Sequence, residues 1–242
     1  MKIFAVVSYK GTNYQGWQKQ TNAPSIQEEI EKVLSRVLNT EISIFGSGRT
    51  DAGVHAKGQT FHFVIDKEID VEKLRYSVNC LLPKDIHVLS MKVVDDNFHS
   101  RYDVKEKTYS YTISVGENNP FTNEFTYNYL KPLDFNRLAE ALKPFNGEHN
   151  FQDFTSKEED EDGFKRWVKI DTEIKDNVLT IKFTGNGFMR YMIRFMVGAA
   201  IAVAEGREEI SFIKKHLEAS KPREIIAFKA PSEGLVLEEV KN

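Results

Sequence analysis

The chain has 242 residues, with Lys+Arg 33 against Asp+Glu 36 for a formal net charge of -3, and 40% hydrophobic residues. That apolar content builds one compact domain or two small halves, and the near balance of charge argues against a generic polyanion binder. A single Cys excludes an internal disulfide, and Met1-Lys2-Ile3-Phe4 enters an alternating strand with no small-residue cleavage site, so the expected setting is cytoplasmic. The most apolar stretch, Phe188 to Ala204, carries Arg190 and Arg194 and leaves ten uncharged residues from Phe195 to Ala204, short of the ~20 that a bilayer span needs. Five consecutive acids, Glu158 to Asp162, concentrate acid in one run; without them the net balance would be +2, so basic faces remain open elsewhere.

In chain order, Lys2 to Tyr9 alternates as a strand. Ser25 with Glu28 forms a capping box, opening a helix whose Ile26, Ile30, Val33, Leu34, Val37 and Leu38 fall at helical offsets. Glu41 to Phe45 reads as a second strand, and Gln59 to Ile65 as a third with Phe61, Phe63 and Ile65 alternating. Asp70 caps a second helix with Val71, Leu74, Val78 and Leu81 on one stripe, ending before Pro83, and Ile86 to Val94 closes a βαββαβ series.

The rest of the chain repeats that order in pattern. Lys107 to Val115 is a strand, Phe125 to Leu130 adds an extra one, and Asp134 caps a helix with Phe135, Leu138, Ala141 and Leu142 inward, stopped by Pro144. Strands Val168 to Ile174 and Val178 to Thr184 flank a turn at Asp176-Asn177. A long helix from about Phe188, a shorter one at Ser211 to Ala219 and a strand Leu235 to Val240 follow. The expectation is an α+β protein of two ferredoxin-like (βαββαβ) halves with mostly antiparallel sheet, residues 1–104 and 105–242.

The richest segment is Gly46-Ser47-Gly48-Arg49-Thr50-Asp51-Ala52-Gly53-Val54-His55-Ala56. Its glycines are spaced GxGxxxxG and a strand follows, so it is no dinucleotide loop; it lacks the Gly-Lys-Ser/Thr ending of a Walker loop, and no second Asp loop supports an aspartic-protease pair. The histidines, among them His55, His62 and His99, show no metal-ligand spacing. What remains is Asp51 beside an arginine on a flexed loop, either an ionised carboxylate able to act as a nucleophile or an Asx-turn that shapes the loop. In the apolar helix, Arg190 and Arg194 sit four apart; Arg190 suits solvent, whereas Arg194 lies deeper and needs a carboxylate or anion, for which Asp51 is a candidate. Tyr109, Tyr111 and Ile113 share a strand face near Lys107, a surface suited to unstacked bases or to an ordinary core.

The Arg49 to Ala56 stretch resembles the signature loop of the tRNA pseudouridine synthase A family. Tyr14-Gln15-Gly16-Trp17-Gln18 before Ser25-Ile26-Gln27, Lys107-Thr108-Tyr109-Ser110-Tyr111, Asn186-Gly187-Phe188 with Met192-Ile193-Arg194 and Gly198, and Ala230-Pro231 with Gly234-Leu235 resemble that family in the same order. The resemblance implies a cytoplasmic homodimer, with an active-site cleft between the two halves of each subunit, that isomerises uridine to pseudouridine at positions 38, 39 and 40 of the tRNA anticodon stem-loop. It implies Asp51 as nucleophile, Arg194 as its ion-pair partner, Tyr109 on the target base, Arg49 on the RNA backbone, and Phe188 and Leu235 lining the pocket. The reaction gains and loses no atoms and calls for no cofactor, no metal and no membrane. The competing classes are a related synthase acting on another RNA, a silent RNA-binding module with no need for Asp51, and a glycoside hydrolase, which normally uses two carboxylates.

Overall fold

The computed structural model describes residues 1–158, 163–218 and 222–242. In chain order the elements are β1 (Lys2–Tyr9), α1 (Ile26–Leu38), β2 (Phe45–Gly46), β3 (His55–Val64), α2 (Val71–Leu81), β4 (Ile86–Val94), β5 (Glu106–Val115), β6 (Tyr127–Tyr129), α3 (Phe135–Leu142), β7 (Gly147–Asn150), β8 (Lys165–Lys175), β9 (Val178–Gly185), α4 (Met192–Ala204), α5 (Ile210–Leu217) and β10 (Leu235–Lys241). The chain divides into two compact units, Met1–Lys105 with Val236–Asn242, and Glu106–Leu235. The acidic run beyond Glu158 and the end of the helix drawn to Ala219 lie outside the described residues.

The first unit is an antiparallel sheet ordered β4-β1-β3, with β2 and β10 both on β3. Ile3 and Ala5 pair with Phe63 and Phe61, and all four are fully buried because alternation puts them on one face. The apolar stripe of α1 (Ile26, Ile30, Val33, Leu34, Leu38) is likewise buried, and Ser25 caps this helix by accepting from the Glu28 N–H. On the opposite face, His62 is buried, its ring 5.2 Å from Phe45 and 4.8 Å from His99. Its Nδ1 accepts from the Ser100 N–H at 3.2 Å. Burial, with His99 and Lys2 nearby, lowers the imidazole pKa to about 4.

Three expectations change here. The strand drawn over Glu41 to Phe45 shrinks to Phe45–Gly46, because the Ile42 N–H is taken by Ser35 Oγ at 2.9 Å and the Ile44 N–H by Glu31 Oε1 at 3.1 Å. Backbone donors claimed by helix side chains cannot join a ladder. Leu81 is exposed and Leu82 is buried in its place, since Leu74, Val78 and Leu82 form the i, i+4, i+8 stripe. β3 starts at His55, where Val236 and Leu237 of β10 pair in parallel with His55 and Ala56.

The second unit orders its antiparallel strands β5-β9-β8-β7, with β6 parallel to β5. β8 and β9 close a two-residue hairpin at Asp176-Asn177, where Asp176 takes φ 52°, a value that Asp tolerates better than most residues. Asp134 caps α3 by accepting from the N–H groups of Asn136 and Arg137, and Phe135, Leu138, Ala141 and Leu142 are buried as expected. The apolar helix begins at Met192, four residues later than the hydrophobic run: Tyr191 at φ 62° is its N-cap. Arg190 therefore lies outside the helix, and the two arginines do not share a helical face. α4 is nearly all buried, and a segment over 226–230 crosses it at Gly198, where a Cβ would stand 2.6 Å from the Phe228 carbonyl oxygen. Asp153, fully buried, accepts from His216 Nδ1 at 2.8 Å and from the Glu224 N–H at 3.1 Å, tying α5 to the turn before β8.

Candidate active site

In the first unit the glycine-rich loop is held from both shoulders. On one side, Ser47 N–H donates to Thr60 O at 2.9 Å, while the buried Gln59 accepts from Ser47 Oγ at 2.7 Å and donates to Gly48 O at 3.0 Å. On the other, the Tyr9 and Thr50 hydroxyls meet at 2.8 Å, Trp17 N–H donates to Thr50 O at 3.1 Å, and Gly53 N–H donates to Tyr14 O at 3.2 Å. Tyr9 is buried, and its desolvation drives the phenol pKa upward, so its hydroxyl keeps its proton throughout the neutral range.

The apex is a turn closed by Val54 N–H to Asp51 O at 3.1 Å, with Gly53 at φ 77° in the position that requires a left-handed residue. Gly11 N–H donates to His55 Nδ1 at 3.1 Å, which makes Nδ1 the unprotonated ring nitrogen. Gly16, at φ 91°, lies so close under the loop that a Cβ would stand 2.4 Å from Thr50 O and 3.1 Å from the Asp51 carbonyl carbon. Asp51 is half-buried at this apex, next to the buried Thr50 and the exposed Ala52. Arg49 is exposed and its Nε donates to Gln18 Oε1 at 3.0 Å. The Tyr14 to Gln18 stretch is thus the bed on which the Asp51 loop rests.

In the second unit Tyr109, on β5, is buried with its ring 5.3 Å from that of Phe188 at 79°, an edge-to-face pair. Tyr111, two residues on, is core: its hydroxyl donates to Pro231 O at 2.9 Å and burial drives its pKa well above the usual phenol range. Gly234 packs on that ring, where a Cβ would stand 2.9 Å from Tyr111 Cε1, and the buried Leu235 follows it. Arg194 occupies the first turn of α4; it is half-buried, and its Nε donates to Ala230 O at 2.8 Å. The guanidinium carbon lies 5.2 Å from the centre of the Tyr191 ring.

Of the residues singled out from the sequence, Arg49 and Asp51 lie on the loop of the first unit, and Tyr109, Phe188 and Arg194 lie in the second, with Tyr109 and Phe188 in ring contact. Sequence reasoning missed Tyr9, Gln59 and Gly11 as supports of the loop and Lys229 as a neighbour of Tyr191. The available signal for Gln59 was an amide at the start of an otherwise apolar strand pattern; nothing local marks Tyr9 or Lys229. Among the described residues no helix is long and apolar enough to cross a membrane.

The sequence model of the family described as tRNA pseudouridine synthase matches residues 5–103 and 141–241 of the chain. The tRNA pseudouridine synthase A of Streptococcus uberis is 38% identical over 242 residues, covering 98% of this chain and 96% of that one. That of Streptococcus agalactiae serotype Ia is 39% identical over 241 residues, with 98% and 93% covered, and that of Clostridium kluyveri 37% over 240 residues, with 98% of each covered. Among solved structures, a chain of a Cbf5-Nop10-Gar1 complex is similar over 82% of this chain and 54% of that chain at 14% identity, with a TM-score of 0.35, too low to equate the folds.

Proposed function

The chain belongs to the tRNA pseudouridine synthase family, and from that premise we propose that it isomerises uridine to pseudouridine at positions 38, 39 and 40 of the tRNA anticodon stem-loop, with Asp51 as nucleophile. The observation that carries the reading is the setting of Asp51: a half-buried carboxylate at the apex of a loop pinned on both shoulders, inside a family match that spans both units. Such pinning is what a reacting group needs, since a misplacement of about 1 Å costs on the order of a hundredfold in rate.

In this reading the uridine is flipped out of its stack, at a cost of a few kcal/mol, and received by Tyr109, whose ring Phe188 holds edge-on. Phe188 and Leu235 line the base's pocket. Arg49, exposed and steadied by Gln18, follows the RNA backbone. Arg194, whose Nε donates to Ala230 O, is the cation this reading assigns to the Asp51 carboxylate.

The carboxylate acts on ribose C1' or uracil C6, or takes a ribose proton to give a glycal. By each route the N1 to C1' bond breaks, the base turns, C5 joins C1', the C5 proton leaves and N1 gains one. Nothing is oxidised or reduced. The setting proposed is the cytoplasm, and the acting species a homodimer.

The test is tritium release from unmodified tRNA labelled at uridine C5, with the product positions mapped by nucleoside analysis. Release by the wild type at the anticodon arm, and none by Asp51→Ala, is the expected outcome. Full activity of Asp51→Ala removes the nucleophile, and release from a different RNA alone moves the substrate.

A further inference from the structure

Three cations surround one aromatic ring in the second unit. Lys229 Nζ lies 4.5 Å from the centre of the Tyr191 ring, the Arg190 guanidinium carbon 4.8 Å and that of Arg194 5.2 Å. We propose that Arg190 and Lys229, gathered about Tyr191, form an anchoring site for a backbone phosphodiester of the substrate RNA. The inference rests on the tRNA reading above and assigns a docking contact within it.

The arrangement is built by the fold. Tyr191 sits at φ 62° ahead of α4, which leaves Arg190 outside the helix and exposed. The backbone of Arg190 is fixed, its carbonyl accepting from Thr155 Oγ1 at 3.0 Å and from the Ser156 N–H at 3.4 Å. Lys229 is brought by the segment over 226–230, which can lie against α4 only because residue 198 is glycine: a Cβ there would stand 2.8 Å from the Lys229 nitrogen. Ala230 N–H donates to Arg194 O at 2.9 Å and closes that contact.

Three like charges repel, and one ring quadrupole offsets only part of that repulsion. Among the described residues neither Arg190 nor Lys229 has a carboxylate within ion-pair distance. One Arg190 terminal nitrogen donates to the Tyr191 hydroxyl at 3.0 Å, which restrains the guanidinium and leaves N–H groups for a further acceptor. An anion with several acceptor oxygens completes such a cluster, and in a protein that acts on RNA the abundant one is the phosphodiester. Arg194 has its own role toward Asp51, so the anchoring pair is Arg190 and Lys229, each able to release counterions when a phosphate docks.

The experiment measures the affinity of the full-length protein for an unmodified tRNA transcript between 50 and 200 mM KCl. Arg190→Gln and Lys229→Gln are each expected to weaken binding several-fold and to lower the slope of log K against log salt by about 0.7 to 0.9, with the double variant lowering it by about twice that. Arg190→Lys and Lys229→Arg keep the charge and should keep the slope, which separates a charge contact from a folding defect. The single-turnover rate at saturating tRNA should stay at the wild-type value.

A double variant with the wild-type slope overturns the site, as does a fall in the saturating rate with affinity intact. Failure here is distinct from failure of the tRNA reading: wild-type tritium release with unchanged slopes defeats the anchoring site alone. A wild type that neither binds nor modifies tRNA defeats both.

Discussion

The Asp51 loop and the Tyr109–Arg194 region hold their functional groups by different means. The loop is fixed by short uncharged hydrogen bonds and by a glycine bed, through Tyr9, Gln59, Trp17 and Gly16. Across the second unit's region, rings and cations do the holding: Phe188 against Tyr109, and Tyr191 among Arg190, Arg194 and Lys229. Hydrogen bonds are directional and fail by misplacing the group they hold, whereas ring packing yields gradually and fails by loosening. In the proposed reading, a nucleophile at Asp51 demands the first kind of support, and a surface that receives a flipped base and a flexible backbone works with the second.

The comparison breaks most sharply at Gly16. Gly16→Ala drives a Cβ into Thr50 O and asks a residue with a side chain to hold φ 91°, so the turnover rate should fall about a hundredfold or more while tRNA affinity stays within about twofold. Single-turnover kinetics beside binding titrations will read this, and an equal loss in both would mean that the loop is part of the docking surface.

In the second unit the matching break is Tyr109. Tyr109→Ala should cost about 1 to 3 kcal/mol of base contact, roughly five- to 150-fold in kcat/KM, and Tyr109→Phe should restore most of it. A Phe variant as poor as Ala would assign the work to the hydroxyl instead of the ring.

Tyr9→Phe sharpens the contrast more gently. It removes one hydroxyl from a buried pair and leaves Thr50 Oγ1 without that partner, costing about 1 kcal/mol of stability and about tenfold in turnover, with KM unchanged. Urea unfolding and steady-state kinetics on the same preparation give both numbers.

A further test concerns pH. The folded His62 has its pKa lowered to about 4 from an ordinary 6.5, so between those values the unfolded chain binds the extra proton and stability falls as pH drops. Above about 6.5 the contribution is complete, and a His62→Gln variant should show a flatter urea midpoint between pH 6.5 and 4 than the wild type. Parallel curves would mean that the buried ring does not resist protonation.

Much of the architecture was legible because period and caps agree. In α1, Ser25, Glu28 and the apolar stripe each mark the same helix, and in β1 an apolar run between Lys2 and Tyr9 marks the strand. Legibility ended where a distant residue decided the outcome. Nothing within 41–45 tells that Glu31 and Ser35 will take its backbone donors, and nothing in the run from Phe188 tells that Tyr191 will turn left-handed and delay the helix. The candidate site divides in the same way. The loop's residue types carried their own chemistry, but its supports come from β1, from the stretch over 11–17 and from Gln59, which no local pattern joins to it.

The pairing of β10 with the start of β3 also has a temporal side. Val236 and Leu237 brace His55 and Ala56, the residues that leave the Asp51 loop, yet the whole second unit is encoded between them and Lys105. At a synthesis rate of about 5–20 residues per second, the first unit waits on the order of ten seconds on the ribosome with that edge of β3 unfilled. The order of translation therefore makes this end of β3 among the last parts of the protein to be finished, so a nascent chain interrupted midway carries the Asp51 loop without its brace.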